Sequence, residues 1–202
     1  DDTATVTITV SPINDLPTAN NDPFTVDEDS GTTNLDVLTN DSISPDVGET
    51  LTIVAASAGS NGGAISIAGG GTSIDYTPAP DFNGVETFTY TVNDGTPGSD
   101  DTATVTVTVD PVNDPPTAND DLFTVNANSG TTNFDVLADD STAPDTGETL
   151  SIVAVSAGSN GGAISIAGGG TSIDYAPAPD FNGTETFTYT INDGTPGSDS
   201  TA

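Results

Sequence analysis

The chain repeats itself with a period of 99 residues. Residues 1–103 and residues 100–202 are identical at 82 of 103 aligned positions, and a 20-residue segment that starts at Ser57 recurs unchanged at Ser156. This period is much longer than the roughly 20–50 residues of a solenoid repeat, and it is about the length of one immunoglobulin-like β-sandwich. Each copy is therefore predicted to fold as a domain with its own core.

Within one copy, apolar and polar residues alternate with the period of a β-strand. Alanine and valine alternate with threonine over residues 102–109, and residues 86–92 alternate in the same way. Turn sequences such as Gly-Gly-Gly and Asn-Asp-Gly separate further apolar runs. These runs predict strands over residues 24–26, 34–38, 51–56, 64–67 and 73–76. Seven short strands without an amphipathic helical segment predict an all-β, two-sheet sandwich in each copy.

The repeat also suggests where the domains begin and end. Residues 1–10 match residues 100–109, which are predicted to form the last strand (strand G) of the first copy. We therefore interpret residues 1–10 as the G strand of a preceding or neighbouring domain. Residues 11–110 are then the first sandwich, and residues 111–202 are a second sandwich that lacks its G strand.

The charge of the chain excludes several classes of function. It has 31 acidic residues and no Lys, Arg or His, which gives a formal net charge of −31. Binding to nucleic acid or to an anionic membrane surface requires cationic side chains, so neither partner is expected. No apolar run is long enough for direct membrane insertion. Without Cys, His or Lys, the chain also lacks disulfides, ordinary zinc sites, catalytic triads and Schiff bases.

Two short motifs resemble catalytic sequences but are expected to be turns. Asp29-Ser-Gly and Asp145-Thr-Gly spell the triplet of aspartic proteases, which need two such loops facing each other to share a proton. Here the two triplets fall in different loops of different copies. A glycosidase cleft usually carries stacking aromatic rings, and the chain has no Trp. The chain is therefore not expected to be an enzyme.

Two stretches resemble a known family. The linker Val-Asn-Asp-Pro-Pro-Thr-Ala-Asn-Asp-Asp at residues 112–121 and Tyr-Ala-Pro-Ala-Pro-Asp-Phe-Asn-Gly at residues 175–183 are similar to bacterial cadherin-like and Ig-like tandem repeats. Such repeats occur in large secreted surface adhesins of the repeats-in-toxin type. The resemblance implies tandem seven-stranded Ig/cadherin-like sandwiches joined end to end, with Ca²⁺ at their junctions and a location outside the cell.

Acidic loops are predicted to meet at these junctions. If the strands alternate in direction, the loop after the first strand and the loop around Asp81 lie at the end of the first sandwich, where the linker begins. Animal cadherins place a glutamate, a linker Asn-Asp and an acidic loop of the next domain around Ca²⁺. Glu28, Asn113 with Asp114, and Asp140 or Asp145 occupy the corresponding places. One departure is Pro111, which stands where the animal linker has Asp.

Carboxylate and amide oxygens in this number suit Ca²⁺, which takes six to eight oxygen ligands. The base loop differs between the copies, since Asn126, Ala127 and Asn128 replace three acidic residues, so weaker binding is expected there. The predicted metal ligands of both copies are Glu28, Asp29, Asp81, Asn113, Asp114, Asp121, Asp140, Asp145, Glu148, Asn14, Asp15, Asp22, Asp41 and Asp46.

These observations favour an extracellular structural repeat module, a Ca²⁺-rigidified spacer of a bacterial surface adhesin or fibre. Its partners would be adjacent copies of the same repeat. One alternative is a filament subunit that self-assembles by head-to-tail strand addition. A second alternative is an adhesion module that binds a glycan or a protein.

Overall fold

The structure is a computed structural model that describes all residues from 1 to 202. The chain divides into two units, Asp1–Val112 and Asn113–Ala202. All its regular elements are β-strands, and it contains no helix that could span a membrane. The predicted all-β class is confirmed.

The first unit contains seven strands, and they form two sheets. Its strands are β1 (Asp22–Asp27), β2 (Thr33–Leu35), β3 (Thr52–Ala56), β4 (Ala64–Ala68), β5 (Ser73–Thr77), β6 (Gly84–Asn93) and β7 (Asp100–Asp110). One sheet has the order β1-β7-β6-β3 and the other has the order β2-β5-β4. Strand β7 pairs antiparallel with β6 and parallel with β1, so both of its edges are bonded.

The alternation in the sequence explains the core between these sheets. Val105 and Val107 of β7 are fully buried, and they pack with Tyr90 and Val92 of β6 and with Ile74 of the other sheet. The intervening threonines of β7 point to the opposite face. The strand predicted over residues 34–38 is shorter in the structure, because β2 ends at Leu35 and the Val37 carbonyl accepts a hydrogen bond from the Tyr90 hydroxyl instead of pairing in a sheet.

The second unit has six strands. They are β8 (Thr132–Phe134), β9 (Ser151–Val155), β10 (Ala163–Ala167), β11 (Ser172–Ala176), β12 (Tyr189–Asn192) and β13 (Asp199–Thr201). Its two sheets have the orders β13-β12-β9 and β10-β11-β8. A second core cluster lies between them and includes Phe134, Ile173 and Ile191.

The difference between the units has a simple cause. In the first unit, residues 104–110 of β7 pair with β1 on one side and with the first half of β6 on the other. The second unit contains only residues 199–202 of the corresponding strand. Residues 121–126, which correspond to β1, are accordingly not a strand, and β12 begins only at Tyr189.

Candidate metal centre

The two units repeat one arrangement of polar side chains, which surrounds the Asn-Asp dipeptide at residues 14–15 in the first unit and at residues 113–114 in the second. We call these residues the entry cluster. In the first unit they are Asn14, Asp15, Asp46, Glu49 and Asp94, and in the second unit they are Asn113, Asp114, Asp145, Glu148 and Asp193. The members come from the leading segment and from two loops, one after β2 or β8 and one after β6 or β12.

An asparagine ties the leading segment to the second of these loops. The Asn113 amide donates hydrogen bonds to Asp193 Oδ2 at 3.2 Å and to Ser198 Oγ at 3.0 Å, and Asn113 Oδ1 accepts one from the Thr195 hydroxyl. Asn14 makes the same three bonds to Asp94, Ser99 and Thr96 of the first unit. The equivalent contacts fix the geometry of both entry clusters.

An aspartate fixes the same segment to the other loop. The Asp114 backbone N–H donates to Asp145 Oδ2 at 2.7 Å, and the Asp15 N–H donates to Asp46 Oδ2 at the same distance. Asn113 and Asp114 are adjacent in the chain, and Asp145 contacts them as the sequence predicts.

The carboxylates of the entry cluster influence one another. The pKa of Glu148 is raised by burial first, and then by the negative charges of Asp193 and Asp145. In the first unit the pKa of Glu49 is likewise raised by burial first, and then by the negative charges of Asp94 and Asp46. Oε2 of each glutamate is buried and has no hydrogen-bond partner. In each entry cluster one glutamate oxygen is therefore buried beside two further carboxylates and receives no hydrogen bond from the protein.

Asp94 and Asp193 behave differently, because hydroxyl and amide donors surround them. The Ser99 hydroxyl lowers the pKa of Asp94, which also accepts from the Thr96 N–H and the Asn14 amide. Burial alone would raise the pKa of Asp193, but the bonds from Ser198, Thr195 and Asn113 outweigh it and lower that pKa. These two aspartates remain ionised and negative.

A second acidic group lies at the other end of the first unit. We call Glu28, Asp29 and Asp81 the base cluster. Glu28 is buried, its Oε1 accepts from the Val112 N–H at 2.7 Å, and its Oε2 accepts from the Asn83 amide at 3.0 Å. Oδ1 of Asp29 accepts from the Asp81 N–H at 3.1 Å. As predicted, the loop after β1 and the loop around Asp81 lie next to each other in the first unit.

The corresponding pair in the second unit shows what the substitution of Asn for Asp does. Asn128 Oδ1 accepts from the Asp180 N–H at 2.8 Å, and the Asn128 amide donates back to Asp180 Oδ1 at 3.2 Å. The amide supplies a donor to the aspartate, whereas Asp29 and Asp81 of the first unit place two anions side by side. Asp29 and Asp81 both adopt a left-handed backbone conformation, with φ of 53° and 55°.

Four of the predicted ligands lie elsewhere, around buried tyrosine hydroxyls. The Tyr90 hydroxyl lies 3.0 Å from Asp22 Oδ2 and 2.9 Å from Asp41 Oδ2. Tyr189 lies in the same way beside Asp121 and Asp140. Of the two alternatives Asp140 and Asp145, Asp145 is thus the one beside Asp114. Burial first, and then the neighbouring carboxylates, raise the pKa of Asp22, Asp41 and Asp121.

Sequence reasoning missed several members of these sites. Glu49, Asp94 and Asp193 were not among the predicted ligands, although Glu49 lies 99 residues before the predicted Glu148 and the two aspartates stand in the repeated Asn-Asp-Gly turns. The tyrosine partners of Asp22 and Asp41 had no local signal, because they are separated from them by 68 and 49 residues.

The comparison with family models gives the same domain twice. The model of the bacterial Ig domain matches residues 14–108 and residues 113–202, which together make up most of the chain. The chain belongs to the bacterial Ig domain family. The predicted recognition of bacterial Ig-like tandem repeats is confirmed, and both entry clusters fall inside or at the edge of the matched Ig domains.

Other comparisons add little to this. No curated protein matches the chain. Among solved structures, an endo-fucoidan hydrolase of glycoside hydrolase family 107 and a single-residue variant of it are each similar at 18% identity, with a TM-score of 0.40. The match covers 96% of this chain and 29% of the hydrolase chain. A likeness of this size says nothing about activity.

Proposed function

We propose that these two Ig domains are a structural spacer of an extracellular bacterial protein, and that Ca²⁺ bound at their acidic ends stiffens the segment that joins them. Bacterial Ig domains usually occur in surface or extracellular proteins, which supports the location. Family membership also supports a structural role over a catalytic one, and the adhesin or fibre to which the spacer would belong is part of the same proposal.

One observation carries the metal proposal. Oε2 of Glu148 is buried without a hydrogen-bond partner, while Asp145 and Asp193 raise the pKa of the same side chain. A buried anionic oxygen without a partner is costly, and the chain has no Lys, Arg or His that could pair with it. A cation from solution would remove this cost. Oxygen-only donors that include several carboxylates favour a hard ion such as Ca²⁺.

The base cluster supports the same proposal independently. The carboxylates of Asp29 and Asp81 have oxygen atoms within 4.8 Å of each other, whereas in the second unit the Asn128 amide donates to the Asp180 carboxylate. The base cluster therefore needs a cation where its counterpart does not. Glu28 accepts from the N–H of Val112, and the next residue, Asn113, belongs to the following entry cluster. A Ca²⁺ ion bound within each cluster separately would fix the residues at the two ends of this short segment.

Calcium titration of the full chain tests the metal proposal. Calorimetry should show Ca²⁺ binding to the wild type, and Glu148→Gln should remove one binding step because it removes the charge of the unpaired carboxylate. Glu49→Gln together with Glu148→Gln should remove two. Asp174→Asn is the matched control, since its carboxylate already accepts from the Asn133 amide at 2.8 Å. Binding that is unchanged in the double variant would refute the assignment of the entry clusters.

A further inference from the structure

Four asparagines of the chain are followed directly by glycine, and they are Asn61, Asn83, Asn160 and Asn182. In such a pair the backbone nitrogen of the glycine can attack the carbonyl carbon of the asparagine side chain, because glycine has no Cβ that hinders the approach. A hydrogen-bonded side-chain amide resists this reaction, since it must leave its partner before it can react. The partners of the four amides therefore decide which pair reacts.

Two of the four amides are held in the same way in both units. The Asn61 amide donates to the hydroxyl of the preceding serine at 3.0 Å and to the Val85 carbonyl at 2.9 Å. The Asn160 amide donates to the hydroxyl of its own preceding serine and to the Thr184 carbonyl at the same two distances. Both hydrogen bonds must break before either side chain can react.

The other two asparagines, Asn83 and Asn182, differ in what accepts from their amides. The Asn83 amide donates to Oε2 of Glu28 at 3.0 Å, and Glu28 is buried. Ala127 takes the place of Glu28 in the second unit, so the Asn182 amide has no such acceptor. Asn182 and the glycine after it are also exposed, so water reaches both residues.

The glycines of these two pairs have nearly the same backbone conformation. Their φ angles are 132° at Gly84 and 136° at Gly183, in a region that side chains of L-residues rarely adopt. The fold therefore favours glycine at both positions. Gly84 also begins β6, whereas Gly183 is not in a strand, so a comparison of variants within one unit is needed beside the comparison of the two units.

We propose that Asn182 is a site of spontaneous deamidation and that Glu28 protects the equivalent Asn83 from the same reaction. The backbone nitrogen of Gly183 gives up its proton to a solvent base and bonds to Cγ of Asn182. The bond from Cγ to Nδ2 breaks, and the amide nitrogen leaves as ammonia with a proton from solvent. The five-membered imide then takes up one water molecule and opens to aspartate or isoaspartate. The net change consumes one water, releases one ammonia and needs no oxidant or reductant.

The reaction changes the charge of the second unit. It places a new carboxylate two residues after Asp180, whose Oδ1 accepts from the Asn128 amide. The loop that contains Asn128 is the one in which asparagine and alanine replace three acidic residues of the first unit. The second unit therefore gains negative charge with time beside a loop that carries little of its own, while the protected pair of the first unit stays neutral.

Peptide mapping of the aged full chain tests the proposal. The folded protein is incubated at about pH 8, and samples are denatured and digested with a protease that cuts after glutamate, because the chain has no Lys or Arg. The digest gives residues 50–86 and 149–185, each with two of the four asparagine–glycine pairs. Tandem mass spectrometry then locates the amide-to-acid change. Asn182 should react about tenfold faster than Asn83, which corresponds to about 1.4 kcal/mol in the barrier.

Three variants separate the hydrogen bond from other differences between the units. Glu28→Ala should speed the reaction of Asn83 about tenfold and leave that of Asn182 unchanged. Glu28→Gln should keep most of the protection, because its side-chain carbonyl still accepts from the Asn83 amide. Ala127→Glu should slow the reaction of Asn182 and leave that of Asn83 unchanged. Equal rates at Asn83 and Asn182 in the folded wild type, or rates that neither Glu28→Ala nor Ala127→Glu alters, would overturn the proposal.

Discussion

A buried aspartate, Asp22, and a half-buried one, Asp41, share one tyrosine hydroxyl in the first unit. A hydroxyl carries one proton, yet the Tyr90 oxygen lies within 3.0 Å of Asp22 Oδ2, Asp41 Oδ2 and the Val37 carbonyl. One hydrogen bond cannot satisfy these acceptors together, and the two carboxylates repel each other. Burial is the largest cause of the raised pKa of both aspartates. The site therefore favours proton uptake by the folded protein.

The sign of the resulting pH dependence follows from the direction of these shifts. A carboxyl whose folded-state pKa is raised stabilises the fold below its unfolded value of about 3.8, and this contribution is lost as pH rises through the folded-state value. With chelator present, Asp22→Asn with Asp41→Asn should therefore raise the melting temperature of the first unit at pH 7 by several degrees, since about 1 kcal/mol corresponds to roughly 4–8 °C for a domain of about 100 residues. The gain should shrink at pH 4.5.

Thermal unfolding of the double variant, the wild type and Asp2→Asn at both pH values checks this. Asp2 is exposed, so the loss of its charge controls for the general relief of repulsion. A gain of equal size at pH 7 and pH 4.5 would contradict the account of the tyrosine site.

At the scale of elements, a glycine-rich loop wraps a buried carboxylate. Glu86 of β6 is fully buried, and it accepts from the backbone N–H groups of Asn61 at 2.5 Å and Gly63 at 2.9 Å and from the Ser60 hydroxyl at 3.0 Å. A Cβ on Gly63 would lie 2.6 Å from the Tyr76 ring and 2.8 Å from Glu86, so the loop approaches this closely only with glycine. The loop between β3 and β4 is thus fixed by one side chain.

Replacement of that carboxylate should loosen the first unit. Glu86→Gln turns one acceptor oxygen into a donor that faces backbone N–H groups, and it should cost about 1–3 kcal/mol of unfolding free energy. Hydrogen exchange of residues 84–93 by mass spectrometry reports the first unit, since the equivalent segment of the second unit differs in sequence. Glu185→Gln is the matched control, followed by the exchange of residues 183–192 of the second unit, and a smaller loss is expected because Glu185 is half-buried. Equal losses would argue against burial as the cause.

The sequence predicted the strands well because alternation is a local property. Residues 102–109 and 86–92 lie within β7 and β6, and the predicted strands over 64–67 and 73–76 agree with β4 and β5 to within one residue at each end. Long-range pairing was less predictable. Residues 123–125 are similar to the β1 sequence, yet they are not a strand, since a strand exists only where its neighbour is present.

Part of the candidate site was predictable because it also rests on local sequence motifs. Asn113, Asp114 and Asp145 were found because they resemble a linker motif and an acidic loop, and the structure brings them together. The aspartates around the tyrosines could not be separated from that set, because an acidic residue in a loop looks the same in sequence whether it faces solvent or a buried hydroxyl. Their partners are fixed by the packing of the two sheets.

At the scale of the whole molecule, repulsion between negative side chains is the main electrostatic effect. Every ionised side chain is negative, and the formal net charge is −31, so the folded chain has no internal ion pairs between side chains to offset repulsion. Cations from solution are the available source of compensation. An ion at 100 times its dissociation constant stabilises the fold to which it binds by about 2.7 kcal/mol. If the proposed function is right, the stability of both Ig domains depends on the cations in solution.

The most direct measurement is the backbone order of the segment that joins the units. The amides of Val112, Asn113 and Asp114 are available to ¹⁵N relaxation, since the prolines lie on either side of them. With millimolar Ca²⁺ these amides should have order parameters near the ~0.85 of rigid backbone, and with EGTA they should fall toward the values below about 0.6 that mark flexible chain. Glu49→Gln with Glu148→Gln should reduce the response to Ca²⁺. Order parameters that are the same with Ca²⁺ and with EGTA would contradict the spacer account.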